Sequence, residues 1–219
     1  SFLLPDLKLK SCERVSDTLV RLELQNGRVF FGERSNEKEY LLYNVFRFYL
    51  PELVDGDSYK LALDVQRRYL GPKLRWYNSM GGVLVEGGCF TGMKAIRWHD
   101  DSPAGTRVLA VEIGKTNSEI LSANIRANGL EDSITSIHAG LWRESGEGSQ
   151  KHSYSTRRFL ESTDRWKGHM VHEEKVRLLC IRDLLDENKI DVASYFNVQV
   201  NGAEIEVLNG AFDVLDRVK

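Results

Sequence analysis

Apolar positions along the chain fall into short runs whose period changes. Over 18–24 they alternate, with Val20, Leu22 and Leu24 on one face and Leu19, Arg21 and Glu23 on the other. Asn26-Gly27 follows, and then Val29-Phe30-Phe31. Two residues that accept positive φ between two apolar runs predict a β-hairpin. The period then lengthens. Leu42, Val45, Phe46 and Tyr49 recur at helical spacing over 39–49, before Pro51. Leu61, Leu63, Val65 and Tyr69 mark a second helix over 58–70, ended by Gly71-Pro72. Residues 1–79 thus read as a small α/β segment of hairpin and helices.

The rhythm changes at Gly81. Val83-Leu84-Val85 runs into Glu86-Gly87-Gly88-Cys89-Phe90-Thr91-Gly92, and a helical stretch follows over 93–99. A second buried strand over 107–112 ends in Glu112. A helix over 117–128 places Leu121 and Ile125 one turn apart, with Gly129 as its stop, and a third strand spans 134–139. Strand, glycine turn, helix, strand, helix, strand is the pattern of a parallel sheet in an α/β fold. Residues 143–170 lose this periodicity; Ser, Gly, His, Arg and Lys dominate, which predicts a long irregular loop, either a functional lid or a disordered stretch. A strand over 174–181, a short helix over 182–188 and a buried strand over 193–200 follow. Asn201-Gly202 then turns into a last helix over 203–208.

Composition narrows the classes. The 219 residues are 42% apolar and 28% charged, ordinary values for one full domain with an appendage, and they exclude collagenous and disordered classes. A net charge of −2, spread almost evenly along the chain, offers no concentrated basic face, so no nucleic-acid partner is expected. There is no apolar run long enough for a membrane span. The first residues, Ser-Phe-Leu-Leu-Pro-Asp, lack the basic region and long apolar stretch of a signal peptide; without Met they read as a processed or excerpted start. Cys12, Cys89 and Cys180 are sparse, odd in number and free of C-x-x-C spacing. They read as free thiols in a reducing, cytoplasmic compartment, with no metal site expected.

The candidate chemistry centres on residues 83–92 and Glu112. A strand that ends in a glycine turn brings backbone close to a ligand, and the next helix points its first N–H groups there. Glu112 lies 20 positions after Gly92, where an acid at a strand end can accept from two ribose hydroxyls. The glycine register discriminates between nucleosides. A dinucleotide fingerprint aligned on Gly87 needs glycine at the position of Cys89; the turn instead reads Glu86-x-Gly88-x-x-x-Gly92. Glu86 would repel a pyrophosphate and attract an amino group, so the charge logic favours S-adenosylmethionine over NAD. The bland alternative is a tight structural turn, with Glu86 capping the helix that follows.

The motifs resemble those of the FkbM-type S-adenosylmethionine-dependent methyltransferase family. Val85-Glu86-Gly87-Gly88-Cys89-Phe90-Thr91-Gly92 is similar to its first motif, with Cys89 where alanine is usual. Val111-Glu112 with Asn124 and Leu130-Glu131 resembles the second, and Ala139-Gly140-Leu141-Trp142 the third. Ile181-Arg182-Asp183-Leu184-Leu185 resembles the family's Leu-Asp-Asp-Leu-Leu helix start. The stretch from Asn197-Val198-Gln199-Val200 through Asn201-Gly202-Ala203-Glu204 to Asn209-Gly210-Ala211 is similar to its Asp-Val-Glu-Gly-Ala-Glu signature. Together these cover about residues 80–212.

The resemblance implies a Rossmann-like class I methyltransferase sheet from about residue 80. It implies S-adenosylmethionine as cofactor, and O-methylation of a small-molecule or glycan hydroxyl. The cofactor-facing set is Glu86, Gly88, Cys89, Phe90, Gly92, Glu112, Ile113, His138 and Ala139. Gln199 and Asn201, amides where the family has Asp and Glu, are the substrate-side candidates; Glu204 is retained. Glu204 and His152 are the candidates for acid–base work, with His169 and His172 beside the irregular segment. Glu204 also reads as a helix N-terminal charge, and the histidines as solvated loop residues. The family sheet has further strands after the last motif helix, so a chain ending at Lys219 is expected to lack them and to expose a sheet edge. A rival reading is a non-catalytic binding module on the same fold, weakened by Gln199 and Asn201.

Overall fold

The computed structural model describes residues 9–33, 49, 81–152, 157–158 and 172–218. The helices predicted over 39–49 and 58–70 lie outside the described residues, apart from Tyr49. The described part is mixed α/β and contains three sheets.

The first sheet is an antiparallel meander of β1 (Leu9–Arg14), β2 (Leu19–Leu24) and β3 (Val29–Glu33). The predicted hairpin is β2–β3. Leu24 N–H donates to the Arg28 carbonyl at 2.8 Å, and Gly27 takes φ 87 in the turn. Pattern alone does not reveal β1: its sequence, Leu-Lys-Ser-Cys-Glu-Arg, is mostly exposed and polar, and ladder bonds to β2 rather than apolar alternation hold it.

The central sheet is parallel. It holds β4 (Val83–Gly87), β5 (Arg107–Glu112), β6 (Ile134–His138) and β11 (Tyr195–Val198), in the order β11-β4-β5-β6. Helix α1 (Met93–Asp101) connects β4 to β5, and α2 (Lys115–Ala127) connects β5 to β6. Counted from β4 as strand one, this is the 3-2-1-4 order of a Rossmann-like sheet. Successive side chains of β4 and β5 enter opposite cores. Leu84, Val108 and Ala110 join Met93, Ile96, Trp98 and Leu121. Val85, Leu109 and Val111 join Leu141, Leu179, Ile181, Leu184 and Val207. Burial on both faces is why these strands read as continuous apolar runs.

The antiparallel sheet shares the first core through Leu22, Leu24 and Phe30, with Tyr49 at 4.9 Å from Phe30 between ring centroids. Its outer edge, β3, is closed by side chains of α2. Asn124 Oδ1 accepts from Phe31 N–H at 2.6 Å and Asn124 Nδ2 donates to Phe31 O at 3.2 Å. Asn128 repeats the pattern on Val29 at 3.0 and 2.7 Å. Two residues along a strand span ~6.8 Å and four along a helix ~6 Å, so asparagines one turn apart match alternate strand residues. An edge that would otherwise present open N–H and C=O groups is thereby satisfied.

Within the loop predicted over 143–170, the structure places strands at 146–152 and 157–158. Residues Gly140–Leu141 form β7, Gly146–His152 form β8, and Arg157–Arg158 form β9. With β10 (His172–Leu179) they make a mixed sheet in the order β7-β10-β8-β9. Apolar alternation is missing from β8 because the partner strand supplies it: a Cβ on Gly148 would lie 2.7 Å from Leu178 Cδ1, so Leu178 of β10 fills that space. Residues 153–156 and 159–171 lie outside the described residues.

The chain closes with α3 (Ile181–Glu187), β11, α4 (Glu204–Asn209) and a 3-10 helix over Phe212–Arg217. β11 pairs with β4 on its inner side. A parallel bridge between Ala193 and Val218, just before β11, touches the outer side. Among the described residues no helix is long and apolar enough to cross a membrane.

Asn124→Ala strands the Phe31 backbone pair and the Thr91 carbonyl, which Asn124 Nδ2 reaches at 2.8 Å. It should cost ~2–4 kcal/mol in urea unfolding, at ~1–3 kcal/mol per buried polar group left unpaired. Half-buried Asn128→Ala should cost less.

Candidate functional site

Strand order reverses between β4 and β11, and a parallel sheet opens a crevice beyond the carboxyl ends of its strands at such a point. Residues 88–92 form the turn at the end of β4. Gly88 N–H and Cys89 N–H both donate to the Val111 carbonyl, at 2.9 and 3.2 Å, which ties the turn to the end of β5. Gly88 has φ 76, and a Cβ there would lie 2.0 Å from the Gln199 carbonyl oxygen. Gly92 has φ 83 and caps α1; its Cβ would lie 2.3 Å from Leu121 Cδ1 on α2. The atoms that approach these glycines closely are therefore the protein's own. Gly88 lets the turn press against the residues after β11, and Gly92 lets α1 press against α2.

Glu86 is 1% exposed at the end of β4. Parallel register sets Asn197 of β11 beside it, and Asn197 Nδ2 donates to Glu86 Oε1 at 3.2 Å. Lys94 Nζ, from the first turn of α1, reaches the same oxygen at 2.9 Å. The Lys94 ammonium also donates to Gln199 Oε1 at 3.0 Å and stands 4.4 Å from the centroid of a Trp98 ring. A buried carboxylate persists ionised where a cation and hydrogen-bond donors compensate it, and this cluster supplies both. The motif reading missed Lys94 and Asn197 as members of the site. One signal was present: a lysine in the first turn of a helix opposes the helix dipole, so its position calls for an anionic partner.

Glu112 is also buried, and backbone donors draw on it. Its Oε2 accepts from Phe90 N–H at 2.9 Å, and its Oε1 from Gly114 N–H at 2.8 Å and Asn117 Nδ2 at 3.4 Å. The carboxylate thus staples the glycine turn to the start of α2. Beside it, Ala139 N–H donates to the Glu112 carbonyl at 3.1 Å, and His138 Nε2 lies 3.1 Å from the Ile113 carbonyl. Phe90, Glu112, Ile113, His138 and Ala139 therefore meet at the carboxyl ends of β5 and β6. Cys89 lies beneath them, 5% exposed; burial, then the charges of Glu112 and Glu86, push its thiol pKa well above the usual value. A thiol held protonated in this way packs and does not attack.

The remaining candidates are arranged around α4 and β8. Glu204 Oε1 accepts from Val200 N–H at 3.1 Å, and Oε2 from Gly202 N–H at 2.8 Å. The carboxylate closes the turn in which exposed Asn201 takes φ 54 and Gly202 φ 109. Gln199 is exposed and touches the cluster through Lys94. His152 ends β8, opposite His172 in register; the side chains of both, and all of His169, lie outside the described residues.

Two consequences are measurable. Gly88→Ala sets a side chain at positive φ against the Gln199 carbonyl and should cost more than ~2 kcal/mol in denaturant unfolding. An aromatic disulfide reagent should label exposed Cys12 in the native protein, and buried Cys89 and Cys180 only at the rate of unfolding.

No family model matches the chain, and no curated protein matches it. Solved structures do. The chain is similar to the methyltransferase FkbM from Methylobacillus flagellatus KT, at 15% identity and TM-score 0.42, over 78% of this chain and 45% of that one. It is similar to a geranyl diphosphate methyltransferase in complex with SAM at 18% identity and TM-score 0.28, over 39% of this chain and 36% of that one. It is also similar to Aeropyrum pernix fibrillarin with natively bound S-adenosyl-L-methionine, at 15% identity and TM-score 0.28, over 61% and 58% of the two chains. The chain spans less than two thirds of the length of each of these structures.

Proposed function

We propose that the crevice beyond β4, β5 and β11 binds S-adenosylmethionine and that the chain serves methyl transfer to an oxygen of a small molecule or glycan. The observation that carries this reading is the pair of buried acids, Glu86 and Glu112, that end neighbouring parallel strands on either side of the glycine turn. Two carboxylates oppose a pyrophosphate. They suit a ligand with a ribose diol at one end and an ammonium at the other. The chemistry of the site fits: it already holds one ammonium, that of Lys94, between the Glu86 carboxylate and the Gln199 side-chain amide oxygen.

In this reading Glu112 accepts from the ribose hydroxyls while it keeps the Phe90 and Gly114 N–H groups, since a carboxylate offers about four acceptor positions. Phe90, Ile113, His138 and Ala139 flank the adenine. Glu86 holds the amino-acid end, and Gln199 and Asn201 face the acceptor. When bound, the donor supplies a sulfonium methyl that is already activated, so the protein has to align the partners and exclude water. The acceptor hydroxyl must also lose a proton. Glu204 is engaged with two backbone N–H groups, and His152 is nominated as the base. Free cysteines at 12, 89 and 180 support a reducing, cytoplasmic setting.

The test is calorimetric titration with S-adenosylhomocysteine. Wild type should bind in the micromolar range. Glu112→Ala should weaken binding by about 10-fold or more, the worth of one hydrogen bond to a charged group. Because Glu112 also holds the turn, Glu112→Gln serves as the milder partner variant. A folded wild type that binds neither the donor nor its demethylated product overturns the reading; binding without turnover on any hydroxyl acceptor points to the non-catalytic module.

A further inference from the structure

We infer that Lys94 and Glu86 act as one ion pair that reads both charges of an α-amino-acid zwitterion, with the Lys94 ammonium taking the ligand's carboxylate. This rests on the donor-site reading above and adds the group that selects the ligand's amino-acid end.

Lys94 compensates buried Glu86, yet its place in the first turn of α1 carries a cost. It opposes the dipole of α1, and a buried ion pair adds little net stability over apolar packing of similar volume. What the lysine does is join three elements: α1, the end of β4 through Glu86, and the residues after β11 through Gln199. The two partners are unequally exposed, Lys94 at 14% and Glu86 at 1% of the side chain. The ammonium is therefore the more accessible partner of the pair.

That arrangement selects by charge pattern. A plain amine approaching Glu86 meets the like charge of Lys94. A phosphate suited to Lys94 meets the like charges of Glu86 and Glu112. A ligand with an ammonium and a carboxylate on one carbon matches the pair head to tail. The Gln199 amide marks where the carboxylate enters. Its Oε1 accepts from Lys94 at 3.0 Å, its residue is exposed, and it can yield that hydrogen bond to a charged and stronger acceptor.

The experiment compares three ligands by calorimetry: S-adenosylhomocysteine, its decarboxylated analogue that keeps the ammonium, and 5′-methylthioadenosine, which has no amino-acid end. The proteins are wild type, Lys94→Met, Lys94→Gln and Lys94→Arg, each checked for folding by thermal unfolding without ligand. Lys94→Gln keeps a donor for Glu86 and covers the case in which Lys94→Met fails to fold. Wild type should prefer S-adenosylhomocysteine over the decarboxylated analogue by about 10-fold or more, as for a charge-assisted hydrogen bond. The two neutral variants should lose that preference and keep the affinity for 5′-methylthioadenosine; Lys94→Arg should retain most of the preference. A preference that survives in the neutral variants overturns the inference. So does tighter binding of S-adenosylhomocysteine by those variants, because Lys94 would then merely occupy the ligand's ammonium position. A parallel loss for all three ligands shows a structural role and also overturns it. If 5′-methylthioadenosine binds with no preference to lose, this inference alone fails; if no adenosyl ligand binds wild type, the donor-site reading fails with it.

Discussion

The Val111 carbonyl accepts from both Gly88 and Cys89, and this shared bond turns the chain over the end of β5. The bond has two supports. Glu112, the next residue, takes the Phe90 N–H, so one strand end grips the turn through a carbonyl and a carboxylate together. On the other side the Gln199 carbonyl fills the space beside Gly88, and Gln199 N–H donates to the Gly87 carbonyl at 2.9 Å. The turn is held between β5 and the end of β11, and a side chain at 88 would force them apart.

Both buried acids are thus held by donors of the fold itself. Glu112 is satisfied by local donors, because a carboxylate at the end of a parallel strand lies beside the first N–H groups of the next helix. Glu86 has no such helix start to draw on at its own position, and Lys94 and Asn197 compensate it from α1 and β11. The two acids differ for this reason. One is a carboxylate held largely by backbone donors. The other belongs to an ion pair built across elements.

The antiparallel sheet bears on the same place. Asn124 joins the Phe31 backbone to the Thr91 carbonyl, so one side chain links β3, α2 and the glycine turn. The mixed sheet bears on it from the far side, where Val176 and Leu178 of β10 pack with Trp142 and Ala203, and half-buried Ile113 packs against them. Both attachments involve residues distant in sequence, and both hold the carboxyl ends of the central strands.

Much of this was legible in the sequence wherever the cause is local. The apolar runs at 83–85 and 108–111 are continuous because β4 and β5 are covered on both faces, and Asn26-Gly27 makes a hairpin because Gly27 takes the positive φ of the turn. The grouping of Glu112 with Phe90 also follows locally, from a strand that ends beside a glycine turn. Tertiary structure decided what depends on a partner's side chain. β8 carries no alternation because Leu178 fills the room at Gly148. The glycines at 88 and 92 face protein because β11 and α2 come to lie there. Lys94 is eight residues from Glu86 and 105 from Gln199, and only the pairing of β11 with β4 brings both within reach of one ammonium. Periodicity records which side of an element is buried. It does not record which neighbour does the burying, and that neighbour sets the charge at the site.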